Sequence, residues 1–240
     1  MDVRNKIVII TGASSGIGLA SAKLLAKQGA KLALVSRSKE KLMKLSKEIP
    51  TSLAIAANLT KSSDITHMIT ETKKHFGRID ILINNAGQGY DASIEKTNID
   101  TIRYIFDLDV VGPLIAMQQV IPLIRNQGGG AIINVSSGTA LMHLPNMGVY
   151  AAVKSALAII SLTAREELKE DHIAVSVVYP YMTLTDFEEN TIRDPIIETE
   201  GYASGNRVPP DTAEYIAQKI LEAIESGDPE VFAHDWMGKQ

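Results

Sequence analysis

Short apolar runs alternate along the chain with longer stretches in which apolar residues recur every three to four positions. Lys6–Thr11 is a β-branched apolar run that predicts a strand, and a glycine-rich turn leads from it into helical spacing over Ile17–Gln28, closed by Gly29. Lys31–Ser36 repeats the short run, and Lys39–Glu48 repeats the helical spacing with Pro50 just beyond it. Ser52–Ala57, Asp64–Phe76 and Asp80–Asn84 give strand, helix and strand once more. This alternation predicts an α/β fold built on a parallel sheet with helices on both faces, because parallel neighbours need a crossover connection.

The second half continues the pattern with two irregularities. Asn98–Asn126 reads as one long helix, which Gly112–Pro113 and Pro122 should bend or shorten. Ala131–Val135 is a buried strand, Tyr150–Glu170 a helix, Ile173–Tyr179 a buried strand, Asp211–Glu225 a helix and Glu230–Ala233 an edge strand. Between them Asp186–Pro210 is polar, carries Pro195, Gly201 and Gly205, and keeps no period. An irregular stretch of that length in a compact domain is expected to be a lid, mobile until substrate arrives.

Composition narrows the field. With 240 residues, 45% hydrophobic and 22% charged, the chain is expected to form a single domain spanning 1–240 with an ordinary buried core. A formal net charge of −4 gives no electrostatic ground for a nucleic-acid partner. No run of about 18 apolar residues appears, and Asp2, Arg4 and Lys6 precede the first apolar stretch, so neither a membrane span nor a signal peptide is expected and the default is cytoplasmic. The absence of cysteine removes thiol nucleophiles, disulfides and Cys-ligated zinc. His67, His75, His143, His172 and His234 are scattered, without the spacing of a metal site, so no metal is expected.

Two groups of residues carry chemistry. The turn after the first strand reads Thr11-Gly12-Ala13-Ser14-Ser15-Gly16-Ile17-Gly18. Its glycines allow a sharp turn and close approach to a ligand, and the following helix aims free N–H groups at a diphosphate. Farther on, Tyr150 and Lys154 stand four apart on a predicted helix, one turn from each other, with Ser137 upstream. A phenol with a pKa of about 10 is a poor base at neutral pH, and an adjacent ammonium lowers that value by favouring the phenolate.

Across nearly its whole length the chain resembles the short-chain dehydrogenase/reductase family. The family's cofactor turn matches Thr11–Gly18, its Asn-Asn-Ala-Gly motif matches Asn84–Gly87, and its active-site Ser, Tyr and Lys match Ser137, Tyr150 and Lys154. The resemblance implies a single doubly wound Rossmann-type sheet and a nicotinamide cofactor. It implies contacts to that cofactor from Gly12, Ser14, Ser15, Gly16, Ile17, Gly18, Ser36, Arg37, Asn58, Leu59, Asn85, Ala86, Gly87, Pro180, Thr183 and Thr185, as well as from Tyr150 and Lys154. It further implies that Tyr150 exchanges a proton with the carbonyl or alcohol oxygen, that Ser137 bonds the same oxygen, and that Lys154 bonds the nicotinamide ribose. The partners so implied are a small carbonyl or alcohol substrate and a second copy of the chain, as a homodimer or homotetramer.

Three positions depart from the family pattern. Asn58 stands where an Asp commonly meets the adenine amino group, and its amide oxygen is expected to accept the same bond. Tyr181 follows Pro180 where the family usually has Gly, which brings a ring to the nicotinamide or the substrate mouth. Asp109 replaces the family's helix Asn, the fourth catalytic member; ionised it would hold Lys154 charged and oppose the Tyr150 phenolate, and protonated it would donate as the amide does. After Ser36 the chain offers Arg37 rather than a carboxylate, which favours NADP over NAD, although Ser15 lacks the basic character common in NADP-dependent relatives. Leu141, Met142, His143, Leu144 and Met147, with Tyr181 and Met182, are candidates for an apolar substrate pocket. Two rival functions remain: a cofactor-binding regulator with little turnover, which Asp109 makes plausible, and a 3-oxoacyl-carrier-protein reductase, against which the ending Val231–Gln240 argues because it lacks that group's glycine-rich strand.

Overall fold

Ile7–Thr11 (β1) is buried at every position because it lies inside the sheet, paired in parallel with Lys31–Ser36 (β2) on one side and with Ile81–Asn84 (β4) on the other. The computed structural model describes residues 1–193 and 209–239. Ser52–Ala56 (β3), Gly130–Val135 (β6), Ile173–Tyr179 (β7) and Glu230–Phe232 (β11) complete a seven-stranded parallel sheet in the order β11-β7-β6-β4-β1-β2-β3. The central strands read as unbroken apolar runs rather than alternations because helices cover both faces.

Gly16–Lys27 (α1), Lys39–Glu48 (α2) and Ala213–Ser226 (α7) pack on one face, where Ala22, Leu25, Leu42, Ile220 and Ile224 close over Ile10, Leu32 and Ile83. Ser62–Phe76 (α3) and Gly112–Arg125 (α5) cover the other, with Ile65, Met68, Met117 and Val120 against Ile9, Val35 and Leu82. This is the Rossmann-type doubly wound arrangement. The order reverses between β1 and β4, and a ligand crevice is expected beyond the carboxyl ends of those two strands.

The long helix departs from its expected form. Ile99–Phe106 (α4) runs into a π-helical turn, Asp107–Val111, and then into α5. The Gly112 N–H reaches back five residues to the Asp107 carbonyl, and Pro113, having no N–H, cannot make the α-helical bond to Asp109. Gly112 is also where the helix touches the loop after β3, since a Cβ there would lie 2.6 Å from the Leu59 carbonyl oxygen. Pro122 does not shorten the helix, which continues through it to Arg125.

Two helical stretches, Ile99–Arg125 and Gly148–Glu167 (α6), are apolar and long enough by composition to cross a membrane. Here they pack beside the sheet as core helices, and no spanning arrangement results.

Four very short strands escaped the sequence reading. Tyr90–Asp91 (β5) pairs with Ile192–Arg193 (β9), and Thr183–Leu184 (β8) pairs with Asp211–Thr212 (β10). The first part of the expected lid, 186–193, is therefore a turn followed by a paired strand rather than irregular chain. Residues 194–208 of the expected lid lie outside the described residues.

Candidate active site

The glycine turn occupies the crevice between β1 and β4. Gly12 and Gly16 adopt positive φ angles of 70° and 51°, which a side chain would strain. A Cβ on Gly18 would stand 2.3 Å from the Gly12 carbonyl oxygen, so the helix packs directly on the turn that feeds it. The motif after β4 braces this turn: Asn85 Nδ2 donates to the Thr11 carbonyl at 2.9 Å, and the N–H groups of Asn85 and Ala86 donate to Thr11 Oγ1 at 2.9 and 3.1 Å.

The start of α1 suits an anionic group. Ser15 makes no side-chain cap bond and the first turn carries no acidic residue, which leaves the positive end of the helix to an anion. Ser14, Ser15 and Gly16 line a cleft of about 500 Å³ with Lys23, Lys41, Lys44 and Thr185, and with the carboxylates of Glu48, Asp186 and Glu214. Thr185 lies directly on Gly16, where a Cβ would be 3.2 Å from its methyl. Ile17 reaches from the turn into the packing of α1. These features fit a dinucleotide: room for a diphosphate, free N–H donors and a cradle that a Cβ would fill.

Other expected contacts gather at the same edge. Ser36 is buried at the end of β2, and its hydroxyl accepts from the Ser38 N–H at 3.2 Å; Arg37 is exposed beside it and donates to the Tyr104 hydroxyl at 3.1 Å. Leu59 is buried against the π turn. The Pro180 carbonyl accepts from the Gly138 N–H at 2.7 Å, and Thr183 turns its hydroxyl back to the Tyr181 carbonyl at 2.7 Å. The Asn58 amide oxygen accepts from the Thr60 N–H at 3.1 Å and the Thr60 hydroxyl at 3.0 Å, closing the turn before α3.

Ser137, Tyr150, Lys154 and Asp109 converge at the end of β6. Tyr150 and Lys154 share a face of α6, 6% and 4% exposed, with the ammonium 5.9 Å from the ring centre. Lys154 Nζ lies 2.9 Å from Asp109 Oδ2 and donates to the Val135 carbonyl at 3.2 Å. The Gln88 N–H donates to Asp109 Oδ1 at 3.0 Å. A Cβ on Gly87 would sit 2.7 Å from Asp109 Oδ2 and 3.1 Å from Lys154 Nζ, so this glycine makes room for the pair. Ser137 caps the short helical turn that follows it, and its hydroxyl accepts from Thr139.

The charges settle how these groups ionise. Burial raises Asp109 above its ordinary value against the pull of Lys154. Its two oxygens face the Gln88 N–H and the Lys154 ammonium, an arrangement that favours the carboxylate. Burial works to lower Lys154, but the charge of Asp109 outweighs it with help from Tyr150, and the lysine stands above its ordinary value as an ammonium. Burial raises the Tyr150 phenol; Lys154 pulls it down, Asp109 pushes it up, and a hydrogen bond with Ser137 lowers it, leaving it above the usual phenol value. The expected lowering by Lys154 is present, but burial and Asp109 outweigh it.

A second buried tyrosine, Tyr179, is differently engaged: its hydroxyl donates to Glu230 Oε1 at 2.8 Å at the sheet edge. Two contributors had no motif to reveal them. Phe187 places its ring 6.1 Å from that of Tyr150, and Met237 packs against Gly138. Both come from segments distant in sequence, and the β8–β10 and β5–β9 pairings flank the first of them.

The family model described as short chain dehydrogenase matches residues 6–195. An uncharacterised oxidoreductase of Staphylococcus epidermidis is 34% identical over 190 residues, covering 79% of this chain and 83% of that protein. Dehydrogenase/reductase SDR family member 7B of Mus musculus is 28% identical over 98% of this chain and 75% of its own length. Among solved structures, a 3-ketoacyl-(acyl-carrier-protein) reductase from Brucella melitensis complexed with NADH superposes with a TM-score of 0.87 at 25% identity, over 96% of this chain and 98% of that one. A short-chain dehydrogenase from Streptomyces avermitilis gives 0.88 at 25% identity, over 100% of this chain and 91% of that one.

Proposed function

The chain belongs to the short-chain dehydrogenase/reductase family, and on that premise we propose that it interconverts a small carbonyl compound and its alcohol, with NADP(H) as cofactor and Tyr150 as acid and base. The observation that carries this reading is the placement of buried Tyr150 with the Lys154 ammonium 5.9 Å from its ring centre, on the helix that packs against the loop of Ser137 and at the same carboxyl end of the sheet as the glycine turn. A bound nicotinamide dinucleotide supplies or accepts the hydride at the carbonyl carbon.

The chain's own groups do the rest. Ser137 holds the substrate oxygen in register with Tyr150 Oη, which gives that oxygen a proton in reduction and takes one from it in oxidation. Lys154 keeps a positive charge next to the phenol and favours the phenolate through which proton exchange passes. Asp109 positions Lys154 between itself and the Val135 carbonyl. Gly12–Gly18, Asn85–Gly87, Ser36–Arg37, Asn58–Leu59, Pro180, Thr183 and Thr185 bind the dinucleotide.

The choice of NADP rests on Arg37, an exposed guanidinium at the end of β2 where no carboxylate stands to repel a 2′-phosphate. NADPH is expected to bind more tightly than NADH, and Arg37→Ala to lose about tenfold or more of the NADPH affinity while leaving NADH almost unchanged. Titration of each cofactor by fluorescence reads both values; NADH binding as tightly as NADPH overturns the assignment.

A second copy of the chain is the proposed partner, as a dimer or tetramer. Only 33% of the apolar window of α6 is buried within one chain, and Ile159 on it is 65% exposed, as Phe106 at the end of α4 is 41% exposed. Apolar helix surface of this kind marks an interface. Sedimentation is expected to show an assembly that Ile159→Asp shifts toward monomer, and a wild-type monomer at micromolar concentration would overturn it.

A further inference from the structure

The Ser137 side of the site is walled by a segment near the C-terminus. Met237 is buried, and its terminal methyl lies where a Cβ on Gly138 would stand, at 2.6 Å. Gly138 in turn donates to the Pro180 carbonyl, one residue before Tyr181. Three separate stretches thus meet beside Ser137: the loop after β6, the end of β7, and the segment after β11.

That last segment is anchored. The Tyr215 hydroxyl donates to the Ala233 carbonyl at 2.6 Å, and His234 Nε2 lies 3.2 Å from Asp211 Oδ2. The Tyr181 ring stands edge-on to both His234 and Trp236, at 5.6 and 5.5 Å between centres. The extra ring at position 181 is therefore turned toward residues 234–236 and gives Trp236 a wall to lean on. On the Tyr150 side, Phe187 is held against Gly89, where a Cβ would lie 3.0 Å from its ring edge.

The segments that meet here leave apolar groups exposed: Trp236 is 37% exposed, Phe187 40% and Met182 43%. Apolar groups beside a few converging polar ones are the usual lining of a small-molecule pocket. The exposed charges next to Phe187 and Trp236 are acidic, Glu188, Glu189 and Asp235, and Arg193 is tied to Glu188 at 3.7 Å. An anionic substrate would approach against that charge.

We infer that the pocket beside Ser137 and Tyr150, walled by Tyr181, Met182, Phe187 and Trp236, selects an uncharged ketone or aldehyde bearing a bulky apolar group next to the carbonyl. This rests on the oxidoreductase reading and adds the substrate class to it. A single methylene that leaves water for such a wall is worth about ten- to two-hundredfold in specificity.

Trp236 is the chain's only tryptophan, so its emission reports the pocket directly. Three probes separate size from charge: acetone, cyclohexyl methyl ketone, and cyclohexylglyoxylate, which carries a carboxylate in place of the methyl. In Tyr150→Phe with oxidised cofactor bound, cyclohexyl methyl ketone is expected to change the Trp236 emission saturably, at concentrations at least tenfold below those at which acetone does, with cyclohexylglyoxylate weaker than the ketone. In the wild type the ratio of kcat/KM for cyclohexyl methyl ketone over acetone is expected to exceed ten, and to fall severalfold in Trp236→Ala and in Phe187→Ala; the second variant keeps the fluorophore and serves if the first does not fold. No emission change with the cyclohexyl ketone, or tighter binding of the glyoxylate, overturns the substrate class even if other carbonyls turn over. An emission change without turnover of any carbonyl by the wild type overturns the oxidoreductase reading and leaves the pocket standing.

Discussion

Tyr150→Phe is expected to lower turnover by at least about 10²- to 10⁴-fold, the usual contribution of a positioned acid or base, while NADPH still binds. The substitution deletes one oxygen from a buried ring and keeps the packing against Val153 and Tyr90. What disappears is the proton that must reach the carbonyl oxygen as the hydride reaches carbon. Lys154 cannot replace it: its ammonium is occupied by Asp109 and the Val135 carbonyl, and the charge of Asp109 holds its proton firmly. Ser137 cannot replace it either, since a hydroxyl is a far weaker acid than a phenol. Cofactor affinity survives because it is spread over the glycine turn, the start of α1 and the end of β2. Tyr179→Phe is the matched control, a buried phenol whose hydroxyl is given to Glu230, and its turnover is expected to stay within about twofold of wild type. Steady-state rates with a panel of aldehydes and ketones, beside a fluorescence titration of NADPH, read both halves. Retained turnover in Tyr150→Phe would remove the proposed acid–base residue and the mechanism with it.

The sheet was legible because its strands are short apolar runs bounded by glycine or proline and its helices keep a period near 3.6, so β1 to β4 and α1 to α3 fall within two residues of their expected bounds. The paired strands Tyr90–Asp91 with Ile192–Arg193, and Thr183–Leu184 with Asp211–Thr212, were not, since two residues carry no period and their partners lie far along the chain. The long helix was recognised, but not its π turn: glycine and proline announce a disturbance without saying which hydrogen bond absorbs it. The same limit governs the site. Thr11–Gly18, Ser137, Tyr150 and Lys154 could be picked out by motif, whereas the use of the Asn58 oxygen by Thr60 and the turn of Tyr181 toward Trp236 depend on neighbours that no spacing reveals. Asp109 shows this most clearly. Its identity was visible as a departure from the family pattern, but the backbone N–H and the ammonium that face its two oxygens and favour its charge were not.

That charge makes Asp109→Asn the most informative single change in the proton relay. Asp109 acts on Tyr150 directly, raising the phenol, and acts on Lys154, raising the ammonium. Asparagine keeps an oxygen to accept from Lys154 and from the Gln88 N–H, so the geometry around Gly87 is preserved while the negative charge is lost. Lys154 retains the Val135 carbonyl as a second acceptor and remains an ammonium. Its attraction for the phenolate then acts without an opposing carboxylate, and the Tyr150 pKa falls. The sign can be followed in both directions of reaction. Oxidation needs the phenolate, so its rate rises as pH passes upward through the Tyr150 pKa, and a lower pKa carries that rise to lower pH. Reduction needs the protonated phenol, so its rate falls through the same pKa, and the fall also moves to lower pH. Asp109→Asn is therefore expected to stay active with both limbs displaced to lower pH. The pH dependence of kcat/KM measured in each direction reads the displacement. An unmoved profile would show that the carboxylate takes no part in setting the proton transfer. A displacement to higher pH would show instead that Lys154 loses its proton once the ion pair is gone, making the principal task of Asp109 to keep that lysine charged.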